Sequence, residues 1–214
     1  MVDFIKPPGW RSTTARFEIV GRRSNNQLRA GKVLGYRFGA SYWAATVSTP
    51  NLDNDEKDAW RSFFDYLNEE GAVALLADPQ RLYPKAYDSF AGMLSVTTDP
   101  FDDGLAKIFS IQDRRNLTIY ELPTLFELKQ GDYVEVRHGE RRYLHRIADD
   151  VTGDAGGAVS IKVRPPLLAS IVAGDIVSFK EPTGEFIVEQ SSISGIENHL
   201  SASPISFSAI SRAN

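Results

Sequence analysis

The 214-residue chain contains no cysteine. A disulfide framework and a thiolate metal site are therefore both excluded. The absence fits a reducing compartment and equally a particle that later leaves the cell. Histidine is scarce, with His138, His145 and His199 the only three. A positive charge balance is missing too: 24 Lys and Arg against 28 Asp and Glu leave a net charge of −4. No global basic field draws this chain onto nucleic acid. No run approaches the roughly 18 apolar residues of a membrane-spanning helix, and the opening MVDFIKPPGW lacks the apolar stretch of a secretory signal. The expectation is a soluble chain with no membrane anchor, not exported by an N-terminal signal.

Motifs for catalysis are equally lacking. VTGDAGG (151–157) and HGERR (138–142) contain glycine, but neither has the strand–glycine–helix setting of a phosphate or dinucleotide loop. There is no G-x-S-x-G elbow and no H-E-x-x-H pair. Asp102–Asp103 and Asp149–Asp150 sit in turn composition and read as solvated carboxylates, and no carboxylate has an obvious apolar setting that would raise its pKa. His138 and His145 flank one hairpin turn and could approach each other, but their neighbours are arginines and no acid joins them at metal-ligand spacing. They read as solvent-facing positions on a β-ribbon. No catalytic residue, cofactor site or metal site is assigned, and the chain is not expected to be an enzyme.

What is present is a mainly β pattern with one helix. Apolar residues make up 42 % of the chain, an ordinary fraction that argues against wholesale disorder. Residues 15–21 (ARFEIVG) alternate, and 41–49 (SYWAATVST) are rich in aromatic and β-branched residues, so both predict strands. Between them GRRSNNQLRAGK (21–32) reads as a long polar loop. In LDNDEKDAWRSFFDYLNEEG, Trp60, Phe63, Phe64 and Leu67 recur at i, i+3, i+4 and i+7, one helical face. Asp53 and Glu56 are spaced as a capping box, and Gly71 is the natural stop. AVALLAD (72–78) predicts a buried strand and AGMLSVTT (91–98) another.

After the turn composition of DPFDDG (99–104) come further strand candidates, and from Leu128 onward the pattern is almost pure β. AKIFSIQ and NLTIYEL flank a charged tip. GDYVEVRH and RRYLHRIA form the arms of a hairpin, and AVSIKVRPPL is a strand ended by prolines. GDIVSFK and EFIVEQ read as a second hairpin. Short strands at intervals of about ten residues suggest a small barrel or sandwich. Two strands, GDYVEV and GDIVSF, open on the same Gly-Asp pair. Internal duplication is one explanation; an awkward backbone angle at Gly with Asp capping the turn is the simpler one. PISFSAIS (204–211) is a last, isolated strand. Two basic clusters stand out: Arg137, Arg141, Arg142 and Arg146 around the first hairpin, with Tyr133 and Tyr143 interleaved, and Arg22, Arg23, Arg29 and Lys32 in the early loop. Either could be a charged face or a contact with a neighbour's carboxylates.

Taken in order, YWAATVSTPNL, the acidic helix DNDEKDAWRSFFDYLNEEG, AVALLADP, FAGMLSV, the stretch from LKQGDYVEV to RPPL, AGDIVSF and PTGEFIV resemble the distal tail proteins of long-tailed (siphovirus-type) phages and related prophage tails. The similarity covers most of residues 40–190. It implies a tail-tube-like β-sandwich with a flanking helix and an inserted OB-like barrel: residues 1–98 as the first part of a ring domain, 99–191 as the inserted barrel, and 192–214 as the strand that returns to complete the ring. It also implies a structural role in a virion, at the tail tip or baseplate, after synthesis in the bacterial host cytoplasm. Such a chain would form a ring, a hexamer, joining the tail tube to the hub and host-recognition apparatus around a channel for DNA. Its partners would be further copies of itself, the tail tube protein, the tail hub protein and a tail fibre or receptor-binding protein. Arg22, Arg23, Arg29, Arg141 and Arg142 are then the candidate subunit or partner contacts. The alternative from another class is an OB-type module binding single-stranded nucleic acid or carbohydrate through the 137–146 hairpin.

Overall fold

A computed structural model describes residues 3–21, 23–27, 33–37, 39–197 and 202–212. In chain order the strands are β1 (Phe4–Ile5), β2 (Thr14–Val20), β3 (Arg23–Gln27), β4 (Val33–Arg37) and β5 (Tyr42–Ser48). Helix α1 (Asn54–Glu69) and β6 (Val73–Ala77) follow. Then come β7 (Leu105–Ile111), β8 (Asn116–Tyr120), β9 (Glu127–Leu128), β10 (Tyr133–His138), β11 (Arg141–Ile147), β12 (Val151–Thr152), β13 (Val159–Arg164) and β14 (Ile176–Ser178). The last two are β15 (Thr183–Val188) and β16 (Ser206–Ser211). The described residues are mainly β with one α-helix, as the sequence pattern predicts.

Two bodies of sheet organise these strands. A six-stranded sheet runs in the order β1-β6-β15-β16-β5-β2, and a closed six-stranded barrel runs β10-β11-β13-β8-β7-β14. Every barrel neighbour is antiparallel. All the barrel strands lie in sequence between β6 and β15. β16 sits inside the sheet, paired with β15 on one side and with β5 on the other.

The helix forms for the reasons its sequence gives. The Asp53 side chain accepts the Glu56 N–H at 2.9 Å and the Glu56 carboxylate accepts the Asp53 N–H at 3.0 Å, a complete capping box. Gly71, one residue beyond the cap, has φ +62°, where a side chain would be strained. Trp60, Phe63, Phe64 and Leu67 are all buried. Trp60 and Phe64 meet Phe207 of β16 at ring-centroid distances of 5.8 and 5.4 Å. Each such burial contributes about 1.5–3 kcal/mol, which fixes the helix to one face of the sheet. Barrel and sheet share this core: Tyr133 and Leu144 from the barrel lie in the same apolar cluster as Phe17, Trp43 and Phe186 from the sheet.

A second core fills the barrel with Ile108, Leu117, Ile119, Val134, Val136, Val159, Ile161, Val163 and Val177, all buried. Phe90, Phe101, Phe126 and Phe179 close one end, with neighbouring rings 5.1–5.9 Å apart.

The structure departs from the sequence pattern in three places. Residues 91–98 are turns with one isolated bridge, Leu94 to Pro100, and no strand. Phe90 and Phe101 on either side plug the barrel, so the segment is held by ring packing and not by a ladder. The expected hairpin of GDIVSFK with EFIVEQ does not form. β14 pairs with β10 and β7, while β15 leaves the barrel and pairs with β6 and β16. Within the polar stretch after Gly21, residues 23–27 pair with 33–37 as a two-stranded antiparallel ribbon of β3 and β4, from Arg23↔Arg37 to Gln27↔Val33, a sheet of its own, while the rest of the expected loop at 22 and 28–32 lies outside the described residues.

The paired Gly-Asp openings are one local device used twice. Gly131 and Gly174 have φ +92° and +91°. Asp132 accepts the backbone N–H of Lys129 at 2.7 Å, and Asp175 accepts that of Val172 at 2.8 Å, each three residues back. The two strands they open, β10 and β14, are neighbours in the barrel.

Candidate functional site

The junction of barrel and sheet is where charged residues concentrate. Strand alternation in the β10–β11 hairpin puts Tyr133, Glu135 and Arg137 on one face with their cross-strand partners Arg146, Leu144 and Arg142. That face turns toward the sheet. The opposite face carries Val134 and Val136 into the barrel core.

Glu135 and Glu185 are the anchors. Glu135 is fully buried and accepts the backbone N–H and the hydroxyl of Thr183 at 2.7 and 2.6 Å. It also pairs with Arg137, and Arg142 lies 3.6 Å away. Glu185, 4 % exposed, accepts Nε of Arg141 and the backbone N–H of Arg142, both at 2.7 Å. Arg212 adds a second cation at 3.7 Å. A buried carboxylate is tolerable only with such partners. Neither glutamate is visible from the sequence, because alternation in a strand buried on both faces does not mark its polar members.

Arg146 reaches the sheet as well. It donates to the Phe17 carbonyl at 3.1 Å and to the Tyr133 hydroxyl at 2.7 Å, and its guanidinium lies 4.9 Å from the Trp43 ring centroid. The Trp43 indole N–H donates to the Leu144 carbonyl at 2.6 Å. Gly184 permits the approach: a Cβ there would lie 2.9 Å from Cβ of Leu144 and 3.0 Å from the Phe186 ring. Asp78, at the end of β6, is buried beside this group. Burial pushes its carboxyl pKa up, against opposing pulls from the Gln80 N–H, Arg81 and Arg146. The sequence-based expectation that no carboxylate occupies such a setting is corrected here.

The histidines separate. His138 is half-exposed and its Nδ1 faces the Asp175 carboxylate at 3.0 Å. His145 is only 3 % exposed, which corrects the expectation of a solvent-facing ribbon position. The β11–β13 ladder ends at Arg146↔Arg164 because the next residue, Pro165, has no N–H to continue it. The His145 ring takes over, its Nδ1 2.9 Å from the Pro165 carbonyl. Nδ1 must therefore donate, and Nε2 is left as a buried acceptor with no partner. Burial lowers the pKa of His145 to about 4, and the Pro165 contact opposes this only in part. His199 lies outside the described residues.

Two openings line this junction. One, of about 100 Å³, is bounded by Trp43, Arg141, Tyr143, His145, Pro165 and Glu185 among others. The second, about 500 Å³, is bounded by Ile19, Gly21, Ser41, Arg115, Arg164, Pro165 and Pro166. Among the described residues no three His, Asp or Glu side chains converge as a metal-ligand set, and no helix is long and apolar enough to cross a membrane. Asp102, Asp103, Asp149 and Asp150 are exposed, in line with their turn composition.

Of the candidate contact residues, Arg141 and Arg142 are brought together at Glu185 within the chain. Arg23 opens β3, opposite Arg37. Arg22 and Arg29, like Lys32, lie outside the described residues. No protein-family model matches the chain, and no curated protein matches it in sequence.

Proposed function

We propose that this chain is a structural subunit of a phage tail tip or baseplate, without catalysis. It would assemble as a closed homo-oligomeric ring, a hexamer, joining the tail tube to the hub and host-recognition apparatus around a channel for DNA. The finer fold reading belongs to this proposal: a tube-like ring domain built on the six-stranded sheet, with an OB-like barrel inserted between β6 and β15.

The observation that carries the reading is the β3–β4 ribbon. It forms five residue pairs and belongs to neither the sheet nor the barrel. A two-stranded ribbon alone is marginal in water, and among the described residues neither of its outer edges pairs with another strand. Such an element gains its stability from something it docks against, and a second copy of the chain in a ring supplies that. The strand order supports the same reading. β16, after the barrel, returns to the middle of the six-stranded sheet, the arrangement that the resemblance to distal tail proteins implies.

The single-strand-binding alternative is less favoured. Arg137, Arg141 and Arg142 spend their charge on Glu135 and Glu185 inside the chain. Light scattering coupled to size exclusion tests the proposal. The full chain should elute as a closed oligomer, and deletion of residues 23–37 should give a folded monomer. A chain that stays monomeric at high concentration and is absent from particles would overturn it.

A further inference from the structure

Among the described residues, the larger opening at the junction, about 500 Å³, is lined by two cations and an otherwise neutral wall: Arg115 and Arg164 with Ile19, Gly21, Ser41, Pro165 and Pro166. Arg115 sits at the end of the β7–β8 turn, where its carbonyl accepts the Val163 N–H and so holds it beside Arg164. Neither guanidinium has a carboxylate within ion-pair distance among the described residues. Asp113, two residues before Arg115, turns its oxygens to the Asn116 amide and to the backbone N–H groups of Arg115 and Asn116, and these bonds, with a smaller pull from the Arg115 charge, lower its pKa. This differs from Arg137, Arg141 and Arg142 of the hairpin, each of which meets a buried glutamate.

A third cation stands beside the cleft, outside its lining. Arg164 lies directly across the ladder from Arg146, so the two side chains share one face of the barrel. Like charges placed opposite each other in an antiparallel pair repel. Among the described residues no ion pair at Arg164 offsets that repulsion, and Arg146 keeps a buried Nε with no partner. The chain as a whole is acidic, at −4, so the two arginines give this cleft a local positive charge.

We propose that the cleft between β2 and the end of β13 is a binding site for a phosphate group carried on a small, non-aromatic molecule, held by Arg115 and Arg164. The guanidinium fork suits a tetrahedral oxyanion, which it can meet with two parallel hydrogen bonds. The volume exceeds that of a bare ion and falls in the range of small-molecule sites. Among the described residues the lining has no aromatic ring on which a nucleobase could stack, and Ile19, Pro165 and Pro166 give an apolar wall for an aliphatic or polyol portion. The site does not depend on whether the chain forms rings.

A 31P NMR titration of the full chain tests this, with inorganic phosphate and glycerol 3-phosphate as probes and sodium chloride holding ionic strength constant. Both probes should broaden saturably. Arg115→Gln and Arg164→Gln should each weaken binding about tenfold, the loss expected for one charge-assisted hydrogen bond. Arg16→Gln, which removes a surface pair with Glu18, should change nothing. A thermal shift with the same probes should follow the same order and shows whether each variant is folded. Broadening that tracks ionic strength alone, or that survives both substitutions, would overturn the site. So would binding of a single-stranded oligothymidylate without binding of glycerol 3-phosphate.

Discussion

Glu185 holds two consecutive residues of the barrel, Arg141 through its side chain and Arg142 through its backbone N–H, each at 2.7 Å. This carboxylate belongs to β15, the strand by which the chain leaves the barrel and re-joins the sheet. One residue of the sheet thus fixes the tip of the barrel's longest hairpin, and the two bodies are coupled by a charge that neither could bury alone.

Replacing Glu185 with Ala should therefore cost more than a surface pair would. It leaves an N–H and a guanidinium without their acceptor, but Arg141 and Arg212 are partly solvated and water recovers some of the loss. The expected destabilisation is about 2–3 kcal/mol by urea denaturation, or roughly 5–10 °C in Tm for a chain of this size. A loss below about 0.5 kcal/mol would show that the junction does not rest on this residue.

His145 should make stability depend on pH. Its folded pKa of about 4 lies below the value near 6.5 expected when unfolded. Between those values the unfolded chain binds the extra proton, so stability is fully present above pH 6.5 and declines as pH falls toward 4. The full span amounts to roughly 3 kcal/mol. His145→Gln keeps a donor for the Pro165 carbonyl and removes the titration. Denaturation midpoints measured from pH 7 to 4.5 should fall more steeply for the native chain than for the variant; parallel curves would rule the residue out.

Trp60→Ala should lower stability by about 3–5 kcal/mol, as buried aromatic truncations do. Trp60 is 2 % exposed and touches Phe63, Phe64 and Phe207. If the isolated chain loses less than about 0.5 kcal/mol, the helix face is not core in solution.

What could be read in advance follows how far apart the interacting residues lie. The helix was legible down to its cap, because the capping box, the apolar spacing and the stop are all local signals. The β10–β11 hairpin was legible for the same reason. Partner choice for β15 was not, since alternation in TGEFIV shows a strand but not which sheet claims it. The β3–β4 ribbon was hidden by residues such as Ser24, Asn25, Asn26 and Gln27, which carry neither alternation nor β propensity. At the junction, the arginines drew notice as a cluster while the buried Glu135 and Glu185 that hold them did not. Arg115 and Arg164 lie 49 positions apart, and only the barrel's closure brings them to one cleft.

The place of β16 has a consequence for the order of events during synthesis. Every strand of the barrel is made by residue 178, so the barrel can close while later residues are still emerging. The sheet cannot: without residues 206–211 it is two separate pieces, β1-β6-β15 and β5-β2. The nascent chain therefore holds a finished barrel beside an unfinished sheet, and any surface that depends on the complete sheet comes into being only after the last strand has threaded into its gap.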